Sequence, residues 1–229
     1  MSRIQQEIIT KDVFEFLENL KNNNSREWFA EHKIEFKELE TKVKAFYTSL
    51  MDKLKTHDEI EKFKMFRIYR DVRFSKDKTP YKTHFAGSFS RAGLRLRGGY
   101  YLRIKPGETF IAAGFWEPNK EDLFRIRKEF ETDATEVRAI MNSKSFQNIW
   151  GKIQGDELKT GPSGFDKQDP NIDLIKKKQF IFVRNFSDKE VLAPDFLDQV
   201  HVSFQAIRPY FDLMSEILTT NLNGEYLLD

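Results

Sequence analysis

Residues 99–116 read GYYLRIKPGETFIAAGFW, and this stretch decides the fold class. Two runs rich in aromatic and aliphatic residues, 99–104 and 110–116, flank the tetrapeptide Lys-Pro-Gly-Glu at 105–108. Pro at the second position and Gly at the third suit a type II turn, because glycine tolerates the positive φ that this turn requires. The pattern therefore predicts an antiparallel hairpin near the middle of the chain.

Further strands are predicted on both sides of this hairpin. From Met65 to Phe74 the apolar residues fall on alternate positions, and this period of two predicts a strand over 65–74. Shorter strands are expected around 84–90 and 179–184. A block of strands between helical blocks is typical of an α+β fold with mostly antiparallel pairing.

Helices are predicted before and after the strands. Apolar residues spaced by threes and fours predict a short amphipathic helix over 11–20 and a second that begins after Asn24 or Ser25. This second helix continues to Leu54 and approaches a length of about 30 residues. Pro209 is expected to kink or restart a helix in the C-terminal block.

These elements predict one α+β domain over residues 1–229. We expect a mostly antiparallel sheet flanked by helices, with a long N-terminal amphipathic helix and a helical C-terminus. Asn119 and Ser187 are expected to cap helices. Residues 151–171 carry six Gly or Pro among many charges, which indicates a long irregular loop with a short strand at 157–160.

Composition excludes several classes of function. The chain has no Cys, which removes disulfides, thiolate nucleophiles and thiolate metal sites. The 38 Lys and Arg are balanced by 36 Asp and Glu, so no global field favours nucleic acid or an acidic membrane. Residues 1–7 have no apolar run, and no later window is long and apolar enough for a membrane span. We expect a cytoplasmic protein.

The segment 67–84 is the densest cationic stretch of the chain. Asp71 and Asp77 only partly balance its six cations, which are Arg67, Arg70, Arg73, Lys76, Lys78 and Lys82. On the predicted strand, Arg67, Asp71 and Arg73 share one face, while Arg70 lies among apolar side chains and needs a partner. Two interpretations follow: an internal structural ion network, or a fixed set of donors for phosphate or carboxylate.

The spacing of this segment resembles that of a known family. Its residues follow the pattern Arg-x-x-Arg-Asp-x-Arg-Phe-x-x-x-Lys-x-x-Tyr from Arg67 to Tyr81. The chain is similar here to the conserved bacterial hypothetical proteins grouped as domain of unknown function 2461, and the similarity extends from the NSREWF stretch at 24–29 to Gly-Phe-Trp at 114–116. The resemblance implies one compact domain and assigns no enzyme class.

A cleft for a small anionic ligand, carrying phosphate or carboxylate, is the first functional prediction. Its proposed catalytic candidates are Asp71, His84 and Tyr81, since His titrates near neutrality and a carboxylate can orient it. We predict no metal and no cofactor, because the four His form no ligand pattern and no Gly-rich phosphate loop occurs. The predicted ligand-binding residues are Arg67, Arg70, Arg73, Lys78 and Tyr81.

Two alternatives come from other classes of function. A second basic and aromatic patch, within 91–103, could bind nucleic acid through phosphate contacts and base stacking. Its residues are Arg91, Arg95, Arg97, Tyr100, Tyr101 and Arg103. In the other alternative the Arg and Asp signature is an internal ion network of a structural or protein-interaction domain. The sequence does not decide whether the protein is an enzyme.

Overall fold

The computed structural model describes residues 8–221 and 224–227, so the predicted lack of a leader at residues 1–7 lies outside the described residues. The described residues form ten helices and five strands. In chain order these are α1 (Lys11–Asn22), α2 (Arg26–Glu31), α3 (Lys33–Leu54), β1 (Ile60–Met65), β2 (Phe85–Arg91), β3 (Gly99–Ile104), β4 (Thr109–Phe115), α4 (Lys120–Thr132), α5 (Thr135–Asn142), α6 (Lys144–Trp150), α7 (Ile172–Ile175), β5 (Phe180–Phe186), α8 (Asp188–Val191), α9 (Phe196–Ala206) and α10 (Arg208–Thr219).

The five strands form one antiparallel sheet in the order β1-β2-β3-β4-β5. Each strand therefore neighbours the next one along the chain, and the predicted hairpin is the β3–β4 pair, with Gly107 at a φ of +71° in its turn. Helices precede and follow the sheet. The α+β fold class is confirmed.

The chain divides into two compact units that interleave in sequence. The first unit comprises residues 1–89, 101–111 and 185–202, and the second comprises 90–100, 112–184 and 203–229. A single domain over residues 1–229 stays a prediction. Among the described residues, no helix combines the length and the apolar composition that a bilayer span needs.

In the first unit, α3 buries its apolar stripe against the sheet. The Tyr47 ring stacks on Phe63 with centroids 5.3 Å apart, and its hydroxyl donates to the carbonyl of Leu102 at 2.9 Å. Gly87 makes this approach close, since a Cβ there would lie 2.9 Å from the Tyr47 ring. Burial of this aromatic layer stabilises the unit.

The predicted long N-terminal helix is interrupted at His32, which separates α2 from α3. Ser25 caps α2 by accepting from the backbone N–H of Trp28. The His32 imidazole stacks on the Trp28 ring at 3.9 Å, and its Nδ1 lies 2.8 Å from the Trp28 carbonyl oxygen. The long N-terminal amphipathic helix is confirmed as α3, but the prediction that it begins after Asn24 or Ser25 and continues unbroken to Leu54 was wrong.

The strand predicted over 65–74 was also wrong. Strand β1 ends at Met65, and residues 66–84 form no regular element. The alternating apolar pattern does not report burial there, because Ile68 is buried but Phe74 is 97% exposed. Side-chain hydrogen bonds and a few backbone hydrogen bonds hold this segment in place of a strand ladder.

Three predicted helix starts of the C-terminal half are observed. Asn119 caps α4, Ser187 forms a capping box with Glu190, and Pro209 lies in the first turn of α10. The predicted strand at 157–160 reduces to an isolated bridge between Glu157 and Lys177. Glu157 lies in the long loop and Lys177 lies between α7 and β5, and their pairing is not extended into a ladder.

Candidate functional site

Residues 66–84, which we call the basic loop, fold back on themselves. Tyr69 and Tyr81 form an isolated antiparallel bridge at its base. The backbone N–H of Arg70 donates to Pro80 at 2.9 Å, and that of Lys82 donates to Ile68 at 2.7 Å. These bonds bring the two ends of the loop together although no strand runs through it.

Arg70 cross-links the loop from inside. Its guanidinium donates to the Asp77 carboxylate, to Thr79 Oγ1 at 2.6 Å and to Ser75 Oγ at 3.5 Å, and 27% of the side chain is exposed. The Arg70 hydrogen bond and bonds from Thr79 lower the pKa of Asp77 to about 2. Asp77 is thus the partner that Arg70 was predicted to need, and this hydrogen-bond network closes the loop.

Two further cations of the signature, Arg73 and Lys78, bond to other groups of the loop. Arg73 pairs with Asp71 at 2.6 Å on the open surface, which lowers the pKa of that carboxyl group. The Lys78 ammonium donates to the carbonyl of Val72 at 2.9 Å. Both interactions stabilise the outer turn of the loop only weakly, because exposed charge pairs contribute little.

A cleft of about 590 Å³ opens between the basic loop and the end of α1. It contains four of the predicted site residues, Arg70, Asp71, Tyr81 and His84, whereas Arg67, Arg73 and Lys78 do not line it. The remaining lining residues are Lys21, Asn24, Asp77, Thr79, Lys82 and Thr83. The cleft lies entirely within the first unit.

Tyr81 is held rigidly at the cleft wall. The Asn24 side chain both donates to its carbonyl at 3.0 Å and accepts from its N–H at 3.1 Å. The ring stacks on Phe29 with centroids 4.0 Å apart, and burial raises the pKa of the phenol. A protonated hydroxyl fixed in this way is a preorganised hydrogen-bond donor.

Lys82 is the cleft's uncompensated charge. Burial lowers the pKa of its ammonium, and the nearby guanidinium groups of Arg67 and Arg70 lower it further. Within residues 8–221 and 224–227 no carboxylate lies within 4.0 Å of its Nζ. A partly buried ammonium surrounded by like charge is an incomplete arrangement that an anion would complete.

His84 lies beside this charge and is kept neutral. Burial is the largest cause that lowers its pKa to about 4, and the cations of Arg103, Lys82 and Lys105 lower it further against an opposing effect of Glu108. At pH 7 the group is an uncharged imidazole. It can therefore donate one hydrogen bond from one ring nitrogen and accept at the other.

The pKa of His84 predicts a pH dependence of stability. An unfolded imidazole titrates near pH 6.5, so between pH 6.5 and about 4 the unfolded chain binds a proton that the folded chain does not. Stability is therefore lost as pH falls through this window, by about 1–2 kcal/mol after allowance for solvent screening. Denaturant unfolding at pH 7 and pH 4.5 should show a smaller loss for His84→Gln than for the parent protein. Equal losses in both proteins would contradict the assignment.

Arg67 lies in a different groove. This groove of about 660 Å³ runs beside α3 and β1, and it contains Lys37, Lys44 and Lys64 as further cations. Glu40 pairs with Lys37 at 2.6 Å, which leaves the groove basic. The predicted convergence of Arg67 with Arg73 and Lys78 is not seen.

The predicted nucleic-acid patch within 91–103 does not form one exposed surface. Arg91 and Tyr100 are buried, and Arg97 pairs with Asp122. Tyr101 and Arg103 remain partly exposed, on strand β3. A buried guanidinium cannot contact a phosphate, so Arg91 and Tyr100 are removed from that prediction.

Among the described residues, no three His, Asp or Glu side chains are arranged to hold a metal ion.

Sequence reasoning missed Lys21 and Asn24 as cleft residues and gave Lys82 no role. Lys82 belonged to the cationic segment of the sequence. Only the structure shows that two guanidinium groups lie near its ammonium and that none of the described carboxylates pairs with it.

Comparison with known proteins gives one match. Residues 12–213 match the family described as conserved hypothetical protein (DUF2461). The search of curated proteins and the search of solved structures returned no significant match.

Proposed function

Since the chain belongs to the conserved hypothetical protein family DUF2461, whose description names no activity, we propose a function from the geometry of the cleft. In this proposal the cleft binds a small anion that carries phosphate or carboxylate. Lys82 supplies the charge, and Tyr81 and His84 supply hydrogen bonds. The observation that carries the proposal is the partly buried ammonium of Lys82, which lies beside Arg67 and Arg70 and has no carboxylate partner in the part of the chain that the structure describes.

The cleft favours an anion over a neutral ligand for an electrostatic reason. Its lining cations are Lys21, Arg70 and Lys82, and its lining acids are Asp71 and Asp77. Asp71 is neutralised by Arg73, which lies outside the cleft, while Asp77 is neutralised by Arg70. The remaining field is therefore positive around Lys82, where partial burial makes each charge interaction stronger than in bulk water.

Asp71, Arg73 and Lys78 take a supporting role in this proposal. The Arg73 guanidinium and the Lys78 ammonium both bond within the loop, and so they fix its shape. Arg70 serves the loop in the same way, because its donors are committed to Asp77 and Thr79. This network supports the structural interpretation of the signature for Arg70, and the two interpretations therefore apply to different residues of one segment.

Substitution of Lys82 tests the proposal. We expect Lys82→Gln to weaken the binding of inorganic phosphate by about tenfold or more, which corresponds to the loss of one charge-assisted hydrogen bond. Isothermal titration calorimetry at low salt measures the affinity. Lys76→Gln is the matched control, since Lys76 is an exposed lysine of the same loop that does not line the cleft. If the two variants bind phosphate equally well, or the parent protein binds none, the proposal is wrong.

Anion binding should also change the titration of His84. A bound anion offsets the cations of Lys82, Arg103 and Lys105, which now lower the pKa of the imidazole. That pKa should then rise when phosphate binds. An NMR titration of the His84 ring protons with and without phosphate reports this change directly.

A further inference from the structure

Three aromatic rings of the first unit lie in a row, and the first of them, Phe66, lines the groove that contains Arg67. The rings of Phe66 and Tyr101 have centroids 6.3 Å apart, and those of Tyr101 and Phe110 are 5.6 Å apart. All three side chains are partly exposed. We call these three residues the aromatic row.

The aromatic row lies on the face of the sheet opposite α3. On β3, Leu102 and Ile104 are fully buried, whereas the alternating residues Tyr101 and Arg103 are partly exposed. The two sets point to opposite faces because side chains alternate along a strand. The second face thus presents aromatic rings where a sheet of this kind usually presents polar residues.

Cations accompany the aromatic row. The ammonium groups of Lys64 and Lys82 lie 5.5 and 5.9 Å from the centre of the Phe66 ring, and the Arg103 guanidinium lies 4.4 Å from that of Phe110. Hydrogen bonds to the Glu108 carbonyl and an ion pair with the Glu108 carboxylate at 3.2 Å hold Arg103 in this position. Flat rings with cations beside them suit a ligand that is itself flat and negatively charged.

Lys82 connects the aromatic row to the cleft. The same side chain lines the cleft and lies over the Phe66 ring. An anion bound at its ammonium would therefore have a partly exposed aromatic surface within reach of whatever the anion is attached to. A bare phosphate leaves that surface unused.

We infer that the ligand of the cleft is a nucleoside phosphate, with its phosphate at Lys82 and its base against the aromatic row. The inference rests on the proposed function and names the class of its ligand. A base presents a π-face that stacks on Tyr or Phe and on the guanidinium plane of Arg. Such a group could belong to a free nucleotide or to a single-stranded nucleic acid, and both sources present the same chemistry to the row.

The experiment compares inorganic phosphate, AMP and the single-stranded oligonucleotide (dA)10 by calorimetry on the full chain. AMP should bind at least about tenfold more tightly than phosphate, because one stacked base adds affinity that phosphate lacks. Tyr101→Leu should reduce the affinity for AMP to that for phosphate and leave phosphate binding unchanged. Tyr101→Phe keeps the ring and should retain the affinity for AMP, while Phe74→Leu, which alters an exposed ring outside the row, should change neither.

Each failure has its own signature. If phosphate binds but AMP binds no more tightly, the inference about the base is wrong and the anion proposal survives. If neither binds, both are wrong. An AMP affinity that Tyr101→Leu leaves unchanged also overturns the inference, because the base would then lie elsewhere. When AMP does bind more tightly, a still higher and strongly salt-dependent affinity for (dA)10 identifies a single strand as the source, and an equal or lower one identifies a free nucleotide.

Discussion

Gly114→Ala should lower the free energy of unfolding by about 3 kcal/mol or more. Gly114 lies in β4 with a φ of +137°, a backbone conformation that side chains rarely adopt. A Cβ there would lie 2.2 Å from the carbonyl oxygen of Phe180 and 2.8 Å from the Cα of Ile181. Both atoms are backbone atoms of the paired strand β5, so the clash cannot be relieved by a rotamer change.

A second glycine separates the two parts of this effect. Gly164 also has positive φ, at +83°, but nothing lies within 4 Å of the Cβ position. Gly164→Ala should therefore cost only the backbone strain, about 1 kcal/mol. Urea unfolding, followed by circular dichroism, measures both variants. A loss for Gly114→Ala no greater than that for Gly164→Ala would mean that β4 and β5 separate at little cost.

The elements that the sequence predicted well are those whose signals are local. The Pro-Gly turn of the central hairpin, the cap at Asn119 and the restart at Pro209 each depend on a few neighbouring residues. Such signals act through the backbone of the residue that carries them. Contacts with distant parts of the chain therefore do not change these local elements.

The errors arose where distant or side-chain contacts decide the structure. An alternating apolar pattern predicted a strand over 65–74, but the Arg70 side chain bonds to Asp77 and Thr79 and closes a loop instead. Likewise, the helical period runs through His32, and only the contact of its ring with Trp28 marks the break. Periodicity cannot report such contacts because it counts only polarity along the chain.

The cleft lies in the predicted cationic segment, but only some of the predicted site residues line it. Arg70, Asp71, Tyr81 and His84 line the cleft, but the local pattern could not show that Arg67 faces another groove. Lys21 reaches the cleft from α1, far away in sequence. Charge density in a sequence thus locates a cluster of cations, while the geometry of the loop decides which of them line the same cleft.

Arg91 is the residue whose predicted and observed roles differ most, and Arg91→Ala should cost about 3 kcal/mol of stability. Its side chain has no exposed surface. The guanidinium donates to the Arg97 carbonyl at 2.8 Å, to Ser215 Oγ at 3.1 Å and to Asp212 at 3.2 Å, and it lies over the Phe211 ring. All of these residues belong to the second unit.

The size of this loss follows from what the substitution leaves behind. Asp212 is half exposed and keeps Arg208 at 3.0 Å, so it is not stranded as a buried charge. The cost instead comes from the lost donors at the Arg97 carbonyl and Ser215, and from the cavity next to Phe211. Arg95→Ala is the control, because Arg95 is an exposed cation of the same segment and should cost less than about 1 kcal/mol. Equal unfolding midpoints for the two variants would mean that Arg91 is exposed, and Arg91 would then again be a candidate for the nucleic-acid patch within 91–103. A large difference assigns Arg91 to the core of the second unit and removes it from the nucleic-acid patch within 91–103.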